Sequence, residues 1–160
     1  MNNLLSYCGL VDARIRASNK DLPVRWPCSW LQINFWYYCL IHQANGNYPL
    51  LVYVYGGPGS QSVDQKWKIG YEDYLTSNYG IVYAIIDGRG TGFQSNDYKF
   101  EVFHKLGSVE MEDQIDGAKQ LLEKFSFLDS EKTGIWGWSY GGYTSAMTLI
   151  KVLYTTILYI

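Results

Sequence analysis

Two histidines, three cysteines and four prolines are all that 160 residues hold of those types, and basic residues are outnumbered, 13 Lys and Arg against 15 Asp and Glu. Each scarcity closes a class of function. Cys8, Cys28 and Cys39 are odd in number and lack Cys-x-x-Cys spacing, so they read as buried thiols. Two histidines leave little for a zinc site, and no metal or other cofactor is expected. A net charge of −2 without long runs of one sign lacks the basic patch that phosphate binding needs, which sets nucleic acid aside. Residues 1–10 carry no basic stretch ahead of an apolar core, so no signal peptide is read there. The apolar run from Tyr143 to Ile160 is interrupted by Lys151 and falls short of the roughly 20 largely uncharged residues of a membrane span. What is abundant points to a packed domain: 48% of residues are apolar and 17% aromatic.

Along the chain, residues 1–29 mix charge with turn residues and show no sustained period, which reads as a peripheral lead-in. Gln32 to Ile41 is dense in aromatics and reads as a strand, with a turn at Asn45, Gly46 and Asn47. Leu50 to Tyr55 is apolar on both faces and runs into Gly56, Gly57, Pro58 and Gly59, as a buried parallel strand does before its loop. After a crossover through Trp67 to Leu75, Ile81 to Ile86 repeats the pattern and ends in Asp87, Gly88, Arg89 and Gly90. Ser108 is placed to cap a helix with Glu110, Glu112 and Asp113 in its first turn and an apolar face at Met111, Ile115, Ala118, Leu122 and Phe125. Thr133 to Trp138 is the third buried strand, and Tyr143 to Leu153 is compatible with a helix. Strands alternating with crossovers predict an α/β fold with a mostly parallel sheet, its glycine-rich loops gathered at one edge.

At that edge Gly137-Trp138-Ser139-Tyr140-Gly141 spells Gly-x-Ser-x-Gly between a strand and a helix, the context of the α/β-hydrolase nucleophile elbow. Glycine is needed on both sides because a strand that turns at once into a helix brings neighbouring backbone close, while the serine projects from the sheet. Ser139 is thus the candidate nucleophile. The oxyanion formed by its attack needs donors fixed in advance, and the Tyr140 N–H and the Tyr55 hydroxyl are the candidates.

The segment Tyr48 to Gln61, the Asp87-Gly-Arg-Gly-Thr-Gly92 loop, Glu112-Asp113-Gln114 and Trp136 to Tyr143 together resemble the catalytic domain of the prolyl oligopeptidase family, nearest its dipeptidyl peptidase IV branch. The resemblance covers residues 30–150, a partial α/β-hydrolase domain, followed by a divergent apolar tail at 151–160. It implies a serine peptidase that removes dipeptides from peptide N-termini after Pro or Ala. It also implies that Trp138 and Tyr140 shape the site beside the scissile bond. Full-length relatives tend to dimerise and are membrane-anchored or extracellular, some cytoplasmic.

The sequence also departs from the pattern. An α/β-hydrolase triad runs Ser, Asp, His along the chain, yet no Asp, Glu or His follows Ser139, and no propeller domain precedes the match. The expectation is a fragment, inactive alone, that aggregates or requires a partner chain. His42 and His104 precede the serine and read as surface residues; Asp87 and Arg89 read as braces of their glycine-rich loop, and Asp113 as a helix-start charge. A carboxylesterase of the same fold is the neighbouring alternative, disfavoured by the Tyr55-Gly-Gly-Pro loop. A non-catalytic binding or regulatory module is kept open by the incomplete triad, and a dinucleotide site ranks last because the glycines at 88–92 lack the third-glycine spacing.

Overall fold

The computed structural model describes residues 34–38, 47–64 and 69–155. The lead-in, the three cysteines, His42, Trp67 and the last five residues of the tail lie outside them.

Four strands form one sheet in the order β1-β3-β2-β4, with β1 spanning Asn34–Tyr38, β2 Tyr48–Tyr53, β3 Val82–Asp87 and β4 Leu128–Trp136. β2, β3 and β4 are mutually parallel, and β1 closes one side antiparallel to β3, pairing Asn34 with Asp87 through Tyr38 with Tyr83. The parallel strands therefore end at one edge, where the loops after Tyr53, Asp87 and Trp136 meet. Helices α1 (Tyr71–Tyr79), α2 (Asn96–Phe100), α3 (Val109–Lys124) and α4 (Tyr140–Thr155) connect and follow the strands. This is an α/β-hydrolase sheet with its elbow between β4 and α4.

The core sits between the sheet and α3. Leu50 and Val52 of β2 and Val82, Ala84 and Ile86 of β3 are buried against Ala118 and Leu121. Gly117 lets α3 come close, because a methyl there would stand 2.9 Å from Ile86 Cδ1. The helix face is not the purely apolar one expected from periodicity. Its buried positions include Glu110, Asp113 and Gln114 beside Met111, Ala118 and Leu121, whereas Ile115, Leu122 and Phe125 are only partly covered. Ser108 precedes the helix without capping it through its side chain, since its hydroxyl donates instead to the Lys105 carbonyl.

Two strand readings are corrected by position in the sheet. β4 starts at Leu128 rather than Thr133, and its register jumps from Pro49↔Asp129 to Leu50↔Thr133. Ser130, Glu131 and Lys132 bulge into solvent, held by Asp129, whose carboxylate accepts the Glu131 N–H at 3.0 Å and pairs with Lys132 at 2.9 Å. A polar bulge hides a strand from a hydrophobic pattern. Among the described residues β4 is also an outer strand of the sheet, opposite β1, so its inner half from Thr133 to Trp136 is half-buried rather than buried on both faces. On β2 burial likewise alternates: Leu50 and Val52 face α3, while Tyr53 lies on the opposite face with Tyr83 and Trp136. Tyr53 stacks on Tyr83 at a centroid distance of 6.3 Å and tilts against Trp136 at 5.1 Å.

Candidate active site

The elbow is built by the absence of side chains around one carbonyl. A methyl group added at Gly137 or at Gly141 would fall within the contact shell of the Val54 carbonyl oxygen, just beyond β2, and at Gly141 also 3.1 Å from Tyr55 Cα. Between the two glycines Ser139 takes φ +56°, in the left-handed region that costs a non-glycine residue of order 1 kcal/mol or more. The strain is held by the turn around it, where Gly141 N–H donates to the Trp138 carbonyl at 2.9 Å and Gly142 N–H to the Ser139 carbonyl at 3.0 Å. Ser139 is exposed, and Trp138 beside it is 66% exposed.

Replacing Gly141 by Ala is expected to cost about 3 kcal/mol, the upper end of overpacking penalties, because the obstruction is backbone held just past the end of a central strand. Gly142 is the control. A methyl there meets nothing closer than 3.5 Å, so Gly142→Ala in the same helical turn should be neutral or gain some of the roughly 1 kcal/mol that separates Ala from Gly. Urea unfolding of the two variants checks the difference.

Tyr55 reaches the same edge. Its backbone lies against Gly141, its ring packs over Gly57, and its centroid is 6.1 Å from that of Trp138. The Tyr140 N–H opens α4 and meets no acceptor among the described residues. The Tyr140 phenol donates to Glu110 Oε1 at 2.8 Å, and burial first, the carboxylate second, push it above the ordinary tyrosine range. Ser139, Tyr55, Trp138 and Tyr140 are thus brought together by the ends of β2 and β4. Beside them, on the sheet face away from α3, a groove of about 410 Å³ is walled by Tyr53, Tyr71, Tyr83, Trp136 and Trp138.

Asp87 and Arg89 brace the loops behind this edge. Asp87 Oδ2 accepts the N–H groups of Ser62 and Val63 at 2.9 and 2.7 Å, and its own carbonyl accepts the Tyr98 hydroxyl at 3.1 Å. The loops after β2 and β3 are laced together, Gly59 N–H to the Gly90 carbonyl at 2.8 Å and Gly92 N–H to the Ser60 carbonyl at 2.7 Å. Arg89 turns to α3, where Nε and Nη2 grip both oxygens of Asp113 through three bonds and the Arg89 N–H adds a fourth at 2.6 Å.

Asp113 is therefore not a helix-start charge. It is fully buried, and burial raises its carboxyl against the downward pull of Arg89. Dipole reasoning could not separate it from exposed Glu112. The available signal was spacing: Glu110, Asp113, Gln114 and Gly117 recur at i, i+3, i+4 and i+7, which puts polar side chains on the helix face turned to the sheet. Gln114 uses that position to donate to the Ile86 carbonyl at 3.1 Å.

A family model for the prolyl oligopeptidase family matches residues 67–154, a stretch holding the Asp87 loop, α3 and the whole elbow. The chain belongs to the prolyl oligopeptidase family. Within it, the venom dipeptidyl peptidase 4 of Vespa velutina is 48% identical over 142 residues, 89% of this chain and 17% of that protein. The prolyl endopeptidase FAP of Mus musculus is 44% identical over 120 residues, 73% of this chain and 16% of its own. The crystal structure of Porphyromonas gingivalis dipeptidyl peptidase 4 superposes with a TM-score of 0.70 at 38% identity, covering 74% of this chain and 17% of that one. The chain thus spans about a sixth of the length of the relatives it matches. They are peptidases by name. Among the described residues no helix is long and apolar enough to cross a membrane.

Proposed function

We propose that Ser139 is the nucleophile of a serine exopeptidase that releases dipeptides from peptide N-termini after Pro or Ala. The observation that carries this reading is the exposed, left-handed Ser139 between β4 and α4, with the Tyr140 N–H open beside it and the Tyr55 side chain on the same edge. In the proposed reaction Ser139 Oγ bonds to the scissile carbonyl carbon while its proton passes to a general base. The carbonyl electron pair moves onto oxygen, where the Tyr140 N–H and Tyr55 O–H donate to it. Collapse expels the amine, which takes up the proton, and water then hydrolyses the acyl-enzyme. Trp138 and Tyr140 flank the residue whose carbonyl is attacked. The dipeptide specificity is drawn from the names of the relatives and from the matched motifs around the serine.

The test is kinetic. Joined to a following segment that supplies Asp and then His, these residues should hydrolyse Gly-Pro-p-nitroanilide. Ser139→Ala should lower kcat by a factor on the order of 10⁶, and Tyr55→Phe by about 10² to 10³. Turnover that survives Ser139→Ala would show that the nucleophile is elsewhere.

A further inference from the structure

Glu110 is a buried acidic residue beside the elbow that the serine chemistry above does not use. It stands in the first turn of α3, is 2% exposed, and spends both oxygens on hydrogen bonds. Oε1 accepts the Gly107 N–H at 2.7 Å and the Tyr140 hydroxyl at 2.8 Å, and Oε2 accepts the Ser108 N–H at 3.1 Å. A carboxylate at the positive end of a helix, satisfied by three donors, is a fixed point rather than a mobile surface charge. Tyr140 is the first residue of α4 and directly follows Ser139, so whatever holds its ring also limits how the elbow peptide can rotate.

α3 is itself anchored. Asp113 ties it to Arg89 and Gln114 ties it to the Ile86 carbonyl, both at the end of β3. Farther along α4, Lys151 reaches back to the Ser108 carbonyl at 3.1 Å and to Glu112 at 3.0 Å. The Glu110–Tyr140 bond is the contact of this set that lands on the nucleophile's neighbour.

We infer that Glu110 is a positioning residue for the oxyanion site: by holding the Tyr140 phenol it sets the direction of the Tyr140 N–H. Its catalytic meaning rests on the Ser139 reading above, while the clamp itself does not. A rigid donor needs no reorganisation when charge develops, whereas a Tyr140 released from Glu110 leaves the N–H in place but free to turn. The expected loss is therefore smaller than that of deleting a donor.

A prolyl boronate probes this without a general base, because boron accepts Ser139 Oγ, whose proton is released to water, and becomes a tetrahedral anion aimed at the same donors. The chain is labelled at the tyrosine ring carbon bearing oxygen, and the ring titration and boronate affinity are read by NMR for the unsubstituted chain, Glu110→Gln, Tyr140→Phe and the double variant. Glu110→Gln and Tyr140→Phe should each weaken the boronate about tenfold, against the 10² to 10³ of a lost donor, and the double variant no further. Glu110→Gln should also bring the Tyr140 titration down toward the ordinary range. Unchanged affinity in both single variants, with binding abolished by Ser139→Ala, would overturn the positioning role. If Ser139→Ala binds the boronate as well as the unsubstituted chain does, the nucleophile reading has failed instead. The clamp is then judged by the ring titration alone, and a Tyr140 signal that Glu110→Gln leaves in place removes it.

Discussion

Expressed by themselves, the 160 residues are expected to release p-nitroaniline from Gly-Pro-p-nitroanilide no faster than a Ser139→Ala variant of the same chain. The reason lies in order along the chain. In α/β-hydrolases the carboxylate and histidine that activate the serine come after it, and residues 140–160 contain neither. His104 stands in the turn before α3, exposed, with its ring against Phe103 at a centroid distance of 4.1 Å. A serine hydroxyl without a base is a poor nucleophile at neutral pH, and what remains is the contribution of the oxyanion donors and binding, roughly 10³ to 10⁴ over water. Steady-state assays with both variants at matched concentration decide this. Turnover that Ser139→Ala abolishes would show that a base reaches Ser139 from within these residues or from a second copy.

Replacing Asp113 by Ala should be the most destabilising single change in the α3 contact. It strands Arg89, whose side chain is 13% exposed, without the carboxylate that receives three of its hydrogen bonds and a fourth from its backbone. Removing one partner of a buried ion pair typically costs about 3 to 5 kcal/mol, and Arg89 then keeps the longer contact to Glu112 at 3.7 Å and the bond to the Val109 carbonyl at 3.3 Å. Against a usual total of roughly 5 to 15 kcal/mol, that is enough to populate the unfolded chain. The comparison is Lys132→Ala. Its side chain is 63% exposed where it pairs with Asp129, so the loss should stay within about 1 kcal/mol. Chemical denaturation of the two variants reads the contrast directly, and equal effects would mean that Glu112 and the Val109 carbonyl suffice to hold Arg89.

The elbow and its surroundings were legible in the linear sequence because they are written in local geometry. A serine forced to φ +56° between a strand and a helix needs glycines at fixed offsets, and apolar runs that end in glycine mark where parallel strands stop. The family followed from several such segments kept in order and spacing. Those features also determined that Ser139, Trp138 and Tyr140 would lie at one edge with Tyr55, since parallel strands leave no other place for their following loops.

Other features depended on contacts that sequence distance conceals. Glu110 and Asp113 carry the marks of acids at a helix N-terminus, and the same residue types serve either as solvated charges or as buried hydrogen-bond centres. The choice was made by how far α3 leans onto the sheet, a distance set by Gly117 against Ile86 and by Arg89 arriving from a loop 24 residues away. The start of β4 was likewise hidden, because a polar bulge at Ser130 to Lys132 breaks the apolar pattern while the strand continues beneath it. Sequence alone thus determined the strand-to-helix turn around Ser139, the sheet class and the family. Tertiary structure decided which acidic side chains are buried, because burial is fixed by packing between elements and not by the residues within any one of them.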